Sequence, residues 1–206
     1  MKKFMCHLLE SICWENQKME LFDFHINRMN KSRKLLFGIN KPIFIDPDLR
    51  PPADLNQKWK LRVIYKEEIE NTEWIPYRKM SPKKVLVLDA GTIDYKLKYA
   101  NRFAFKQLKK DQPDFDDFIL IRKNFLTDAS YSNIVLKIGN RWLTPSTPLL
   151  KGVQREFLLK KSRIIEHPLI KEDLLKAEEI RLINALLPLE DAIALNPDQL
   201  FFSKKD

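Results

Sequence analysis

Leu149-Leu150-Lys151-Gly152-Val153-Gln154-Arg155 reads as a loop closing into a helix start, with the helix expected over 153–161. Backbone N–H groups at a helix N-terminus, together with the macrodipole, make an anion site. Gly152 lets an anion approach the backbone closely, and Arg155 in the first turn could add charge. An ordinary helix cap is the other reading, and the stretch alone does not separate the two.

Working outward, residues 132–137 and 141–143 form an expected hairpin around Gly139-Asn140, and 118–121 a short buried strand. Residues 99–110 carry a helical pattern ending in the basic turn Lys109-Lys110. Downstream come a strand near 163–165, a short helix from Lys171, and strands at 179–183 and 191–194. The first half opens with a strand over 4–14, a turn over 15–18 into a short second strand, and a helix over 22–37. In that helix Phe22, Ile26, Met29, Leu36 and Phe37 recur at helical spacing, and Gly38 sits where a C-cap glycine belongs. Pro42, Pro47, Pro51 and Pro52 force a loop. Residues 58–66 alternate, with Trp59, Leu61, Val63 and Tyr65 on one face, and two further strands follow at 73–78 and 84–88. The class is α+β in two mixed lobes: residues 1–94, a small N-terminal lobe with its linker, and 95–206.

Composition removes several classes of function. Lys plus Arg is 37 and Asp plus Glu 28 in 206 residues, a net charge of +9. The basic residues are scattered among acids, as in Lys66-Glu67-Glu68-Ile69-Glu70, so no nucleic-acid partner is expected. The surplus suits a solvated surface or a site that attracts carboxylates or phosphates. Gly38, Gly91, Gly139 and Gly152 are the only glycines and none lie together, which excludes glycine-rich phosphate and dinucleotide loops. Two cysteines and three histidines are too few for a disulfide framework or a zinc site. No apolar run approaches membrane-spanning length, and Met1–Met5 lacks the features of a signal peptide; a cytoplasmic protein without a membrane partner is expected.

Two further residues carry candidate chemistry. Asp128, in Leu126-Thr127-Asp128-Ala129-Ser130-Tyr131-Ser132-Asn133, is either a charge partner for a buried cation or a turn residue capping its own backbone. Lys98, flanked by Leu97, Tyr99 and Ala100, is either a desolvated amine suited to a Schiff base or one solvated lysine among many. Periodicity does not distinguish it from Lys96.

The order of these features along the chain resembles the class IV aminotransferases, the fold type IV pyridoxal-phosphate enzymes. Leu9-Glu10-Ser11-Ile12 and the stretch from Leu21 to His25-Ile26-Asn27-Arg28-Met29 are similar to the family's ET-I…L-x-x-H-x-x-R-L segment. Lys98-Tyr99-Ala100-Asn101-Arg102 is similar to the K-H-x-N-R of its aminodeoxychorismate lyase branch. Asp128 to Asn133 resembles E-x-x-x-x-N, and Thr144-Pro145 with Leu149 to Arg155 resembles T-P and L-x-G-I-x-R. Ile183-Asn184-Ala185-Leu186 is similar to the lyase branch's T-N-A-L.

The resemblance implies the D-amino-acid aminotransferase-like architecture, shortened at the N-terminus, with pyridoxal 5'-phosphate as cofactor. Lys98, in the C-terminal lobe, would hold the cofactor and act as the base. Arg28 and the Gly152, Val153 and Gln154 helix start would bind its phosphate, and Asp128 would pair with its ring nitrogen. Asn184 and Ala185 complete the cofactor set, and Arg62 and Arg102 are candidate anchors for substrate carboxylates. The sequence departs from the family in having Asp rather than Glu at 128 and Gln rather than Thr at 154. The glycines common around the E-x-x-x-x-N turn are also missing. The expected activity is aminodeoxychorismate lysis to 4-aminobenzoate and pyruvate, in folate biosynthesis. An amino-acid aminotransferase of branched-chain or D-amino-acid type and a non-catalytic binding homologue are the alternatives. The expected partners are a small amine- and carboxylate-bearing substrate and a second copy in a homodimer.

Overall fold

The computed structural model describes residues 6–203. They form two compact units. The first runs to Lys79 and takes in Leu97–Asn101; the second holds Met80–Lys96 and the chain from Arg102 on.

In the first unit, β1 (Leu8–Glu15) turns at Asn16 and Gln17 into β2 (Lys18–Met19), and α1 (Phe22–Phe37) follows. The turn residues have φ of 53° and 60°, the left-handed pair that a two-residue hairpin requires. Helix α1 ends where Gly38, at φ 76°, sends its N–H back to the Lys34 carbonyl. The proline-bearing stretch 41–52 holds no strand or helix. Strands β3 (Trp59–Tyr65) and β4 (Ile69–Pro76) complete an antiparallel sheet in the order β2-β1-β3-β4. Strict alternation buries Trp59, Leu61, Val63 and Tyr65. They face α1 with Leu8, Ile12 and Trp14 of β1, around Met29. Glu10 shares that face, because β1 register pairs it with Val63.

The segment around Lys98 belongs to this sheet rather than to a helix. Leu9 donates to the Lys98 carbonyl and Ala100 to the His7 carbonyl, each at 2.9 Å, and Tyr99 bridges Leu8. A joint near 94–95 with Lys98 in the second lobe was the expectation from sequence. These backbone bonds instead group Leu97–Asn101 with the first unit, and they delay the expected helix over 99–110 to α2 (Phe103–Asp111).

The second unit contains β5 (Val85–Asp89), β6 (Asp117–Arg122), β7 (Phe125–Ala129), β8 (Asn133–Ile138), β9 (Arg141–Pro145), α3 (Val153–Lys160) and β10 (Ile165–His167). A 3-10 turn at Lys171–Leu174, β11 (Glu179–Ile183), β12 (Ile193–Leu195), a second turn at Pro197–Gln199 and β13 (Leu200–Phe202) follow. Among the described residues the sheet runs β10-β9-β8-β7-β6-β5-β13, with β11 paired to β8 and β12. Helix α3 seats Leu158 on Val135, Ile164, Ile183 and Leu189. Strand β10 starts two residues later than expected, where it pairs in parallel with β9. Strands β7 and β13 have no counterpart in the sequence reading. The first two residues of the expected strand over 4–14 lie outside the described residues.

Candidate functional site

Each unit brings together its own share of the expected residues. In the first unit, Glu10 on β1 is fully buried under α1. His25 and Arg28 stand three residues apart on α1, one turn of helix, so both reach the same carboxylate. Arg28 Nε donates to Glu10 Oε1 at 2.8 Å, and Nη2 donates to Oε2. His25 Nδ1 lies 2.7 Å from Oε2. Burial alone would raise the Glu10 pKa, but the Arg28 charge and the hydrogen bonds from His25 and Arg28 outweigh it. They hold the carboxyl well below the usual carboxylate range. His25 is pushed down, chiefly by burial, with the Arg28 and Lys98 charges adding to it against Glu10. Arg28 thus commits two donors to an internal carboxylate, with its side chain 12% exposed. Lys98 is near enough for its charge to bear on His25. The signal for Glu10 was present in the sequence: its parity in β1 puts a carboxylate on the apolar face with Leu8, Ile12 and Trp14.

In the second unit, Asp128 is buried near the end of β7 and pairs in register with Asn133, the first residue of β8. Asn133 Nδ2 donates to Asp128 Oδ1 at 2.6 Å and to the Leu150 carbonyl at 2.8 Å. Leu150 N–H donates to Asp128 Oδ2 at 2.8 Å. The carboxylate therefore joins the β7–β8 turn to the loop before α3. Burial pushes its pKa up to about 7, only partly opposed by these hydrogen bonds and by the Arg155 charge. Asn133 and Leu150, which donate to it, are neutral amides, and among the described residues it forms no ion pair.

Gly152 caps α3 with φ −68° and ψ 147°, a conformation any residue adopts, and no side chain caps the helix. The glycine is required by space: a Cβ there would stand 2.1 Å from Asn133 Oδ1. The room beside Gly152 thus goes to Asn133, whose structural role the sequence reading missed. Val153 and Gln154 open the helix and are buried. Arg155 turns away from the helix start, donating to the Pro145 carbonyl at 2.9 Å and to Glu166 at 2.6 Å. It ties α3 to β9 and β10 rather than adding charge at the helix start. Thr144 sends its hydroxyl to the Ile134 carbonyl at 2.8 Å.

Asn184 follows β11 and donates to the Tyr131 carbonyl at 3.3 Å and to Ser132 Oγ at 3.1 Å. Its own Oδ1 accepts from Leu186 N–H at 2.8 Å, so Ala185 sits inside an Asn-closed turn. Arg102 lies over the rings of Phe105 and Tyr131, 4.2 and 4.1 Å from their centroids. It donates to the Ser130 carbonyl at 2.6 Å and to Tyr95 Oη at 3.1 Å. Arg62, on β3, faces Glu73 across the strand pair at 3.4 Å as a surface ion pair. Among the described residues no helix is long and apolar enough to cross a membrane, and no group of three metal-ligating side chains forms.

Residues 68–190 match the family model described as amino-transferase class IV. An uncharacterized protein of Haemophilus influenzae is 30% identical over 185 residues, covering 88% of this chain and 98% of its own length. The crystal structure of a candidate 4-amino-4-deoxychorismate lyase from Haemophilus somnus is 29% identical, with a TM-score of 0.76 over 90% of this chain and 99% of that one. A hypothetical aminotransferase of Mycobacterium tuberculosis in its PLP-bound form is 17% identical and shares the fold, with a TM-score of 0.70 over 94% of this chain and 81% of that one. A family match over more than half of the chain, joined to a relative of nearly equal extent, settles the assignment: the chain belongs to the class IV aminotransferase family.

Proposed function

We propose that the chain is a pyridoxal-phosphate-dependent lyase that converts 4-amino-4-deoxychorismate into 4-aminobenzoate and pyruvate. The observation that carries the choice of reaction is the 29% identity to the Haemophilus somnus protein across 99% of that chain. The donor set suits the cofactor. Asp128 is a buried carboxylate held by neutral amides, and a protonated ring nitrogen supplies the positive charge that such a carboxylate favours. The start of α3 has no side-chain cap, leaving first-turn N–H groups for a phosphate.

In this reading Lys98 binds the cofactor through its amine, and Arg28 with the Val153 and Gln154 N–H groups binds the phosphate. Asp128 would hold the proton on the ring nitrogen, and the Asn184-Ala185 turn would complete the set of residues that hold the cofactor. When bound, the cofactor withdraws electrons from the carbon that carries the substrate amine. Once the substrate amine has taken its place on the cofactor, the freed Lys98 amine would take the proton from that ring carbon. Enolpyruvate leaves with the electron pair of its C–O bond and takes up a proton to become pyruvate, and the ring becomes aromatic. A homodimer in the cytoplasm is proposed with the same reading.

The test has two arms. Borohydride reduction of the protein loaded with pyridoxal phosphate should fix the cofactor to a peptide containing Lys98. Incubation with aminodeoxychorismate should give 4-aminobenzoate and pyruvate in equal amounts, far faster than amino transfer from amino acids to 2-oxoglutarate. Rapid transfer without an aromatic product would make the chain a transaminase. A protein that takes up no cofactor would be a binding homologue.

A further inference from the structure

Arg102 and Tyr131 are engaged in a way that the expected anchoring of a carboxylate does not use. The guanidinium carbon lies 4.2 Å from the ring centroid of Phe105, 4.1 Å from that of Tyr131 and 5.3 Å from that of Tyr95. Two of its nitrogens already donate inside the unit, to Ser130 and Tyr95. Tyr131 lies at the tip of the turn between Asp128 and Asn133. Its ring is stacked on Arg102, yet the residue is 71% exposed, so its other face is open.

The turn that carries this open ring is tied on every side. Ala129 N–H donates to the Ser132 carbonyl at 2.8 Å, and Ser130 N–H to the Phe118 carbonyl at 3.1 Å. The Ser130 carbonyl accepts from Arg102. The Tyr131 carbonyl and Ser132 Oγ accept from Asn184. An aromatic ring on a fixed turn contributes contact area at little ordering cost. A cation behind it draws density from its face, which favours an electron-rich ring on the open side.

Resting on the lyase reading, we propose that Tyr131 determines specificity by stacking the ring of the substrate and of its aromatic product, with Arg102 as the positioning residue behind it. The ligand class is an unsaturated six-membered ring bearing a carboxylate and an amine, which becomes planar and electron-rich in the product.

The probe is 4-aminobenzoate titrated into the cofactor-loaded protein, beside its saturated counterpart 4-aminocyclohexanecarboxylate. Binding is followed by ligand-observed NMR, with urea midpoints confirming that each variant is folded. The wild type should prefer the aromatic acid. Tyr131→Leu should weaken it about tenfold and erase the preference, in line with the worth of an aromatic pair. Tyr131→Phe should restore binding to within about twofold. Arg102→Met should weaken the aromatic acid several-fold while the saturated acid is unmoved, a selectivity that general loosening of the turn would not produce. Equal binding of 4-aminobenzoate to the wild type and to Tyr131→Leu overturns the proposal and leaves the lyase reading standing. A wild type that transfers amino groups but binds no 4-aminobenzoate overturns both.

Discussion

Two buried carboxylates, one in each unit, answer pH with opposite signs. Glu10 has a folded pKa far below its unfolded value near ~4.3. It adds stability above that value, and the contribution is lost as pH falls below it. Asp128, pushed up to about 7, does the reverse. Between roughly pH 4 and 7 the folded chain holds a proton there that the unfolded chain has released, so stability falls as pH rises through this window. Asp128→Asn keeps the volume and abolishes the titration. Measured by urea unfolding at pH 5 and pH 8, the variant should gain on the wild type at the higher pH. A difference that does not change with pH would remove the buried charge from the account. Gly152 gives a second prediction. Its backbone angles suit alanine, but an added Cβ 2.1 Å from Asn133 Oδ1 would force that amide off Asp128 and Leu150. Gly152→Ala should cost ~1–3 kcal/mol. In an Asn133→Ala background the same change should cost much less, because the two share one space. Additive costs would show that Asn133 is not what Gly152 makes room for.

At the level of elements, local signals were legible where they agreed with one another. Helix α1 has its apolar spacing and a single glycine at its end, and it spans Phe22–Phe37 as read. Strand β3 shows its alternation directly. Strand β7 was hidden because Thr127 and Asp128 are polar yet buried, satisfied by Leu120 and Asn133 on the neighbouring strands and by Leu150 in the loop before α3. Strand β13 pairs with β5, more than a hundred residues earlier, and no local pattern announces that. Residues 99–102 look helical, but pairing with β1 overrides the preference. The same competition governs the candidate site. Asp128 and Lys98 stood out by order along the chain, whereas the parts of Asn133 and Tyr131 come from tertiary contacts. The β1–β2 turn carries a cost that can be removed. Gln17 holds φ 60° in a position that glycine fills without strain. Gln17→Gly should stabilise the protein by ~1 kcal/mol, read as a higher urea midpoint with an unchanged slope. An unchanged or lower midpoint would mean that the side chain makes compensating contacts.

At the scale of the whole molecule, the chain leaves the first unit at Lys79, returns for Leu97–Asn101, and leaves again at Arg102. Sequence neighbours therefore need not share stability. Lys98 hangs on β1 through the Leu9–Lys98 and Ala100–His7 bonds, beside the strand that carries Glu10. The lysine proposed to bind the cofactor is thus anchored to the sheet whose buried carboxylate holds Arg28. Local opening follows cooperative units of packing rather than sequence distance. Native-state hydrogen exchange in low urea can separate the two. The amides of Leu9 and Ala100 should exchange with the opening free energy and urea slope of β3 amides such as Leu61. The amide of Lys106, bonded to Arg102 within α2, should follow the second unit instead. If Ala100 exchanged together with Lys106, the lysine segment would belong energetically to the second unit. Its hydrogen bonds to β1 would then be too weak to fix Lys98.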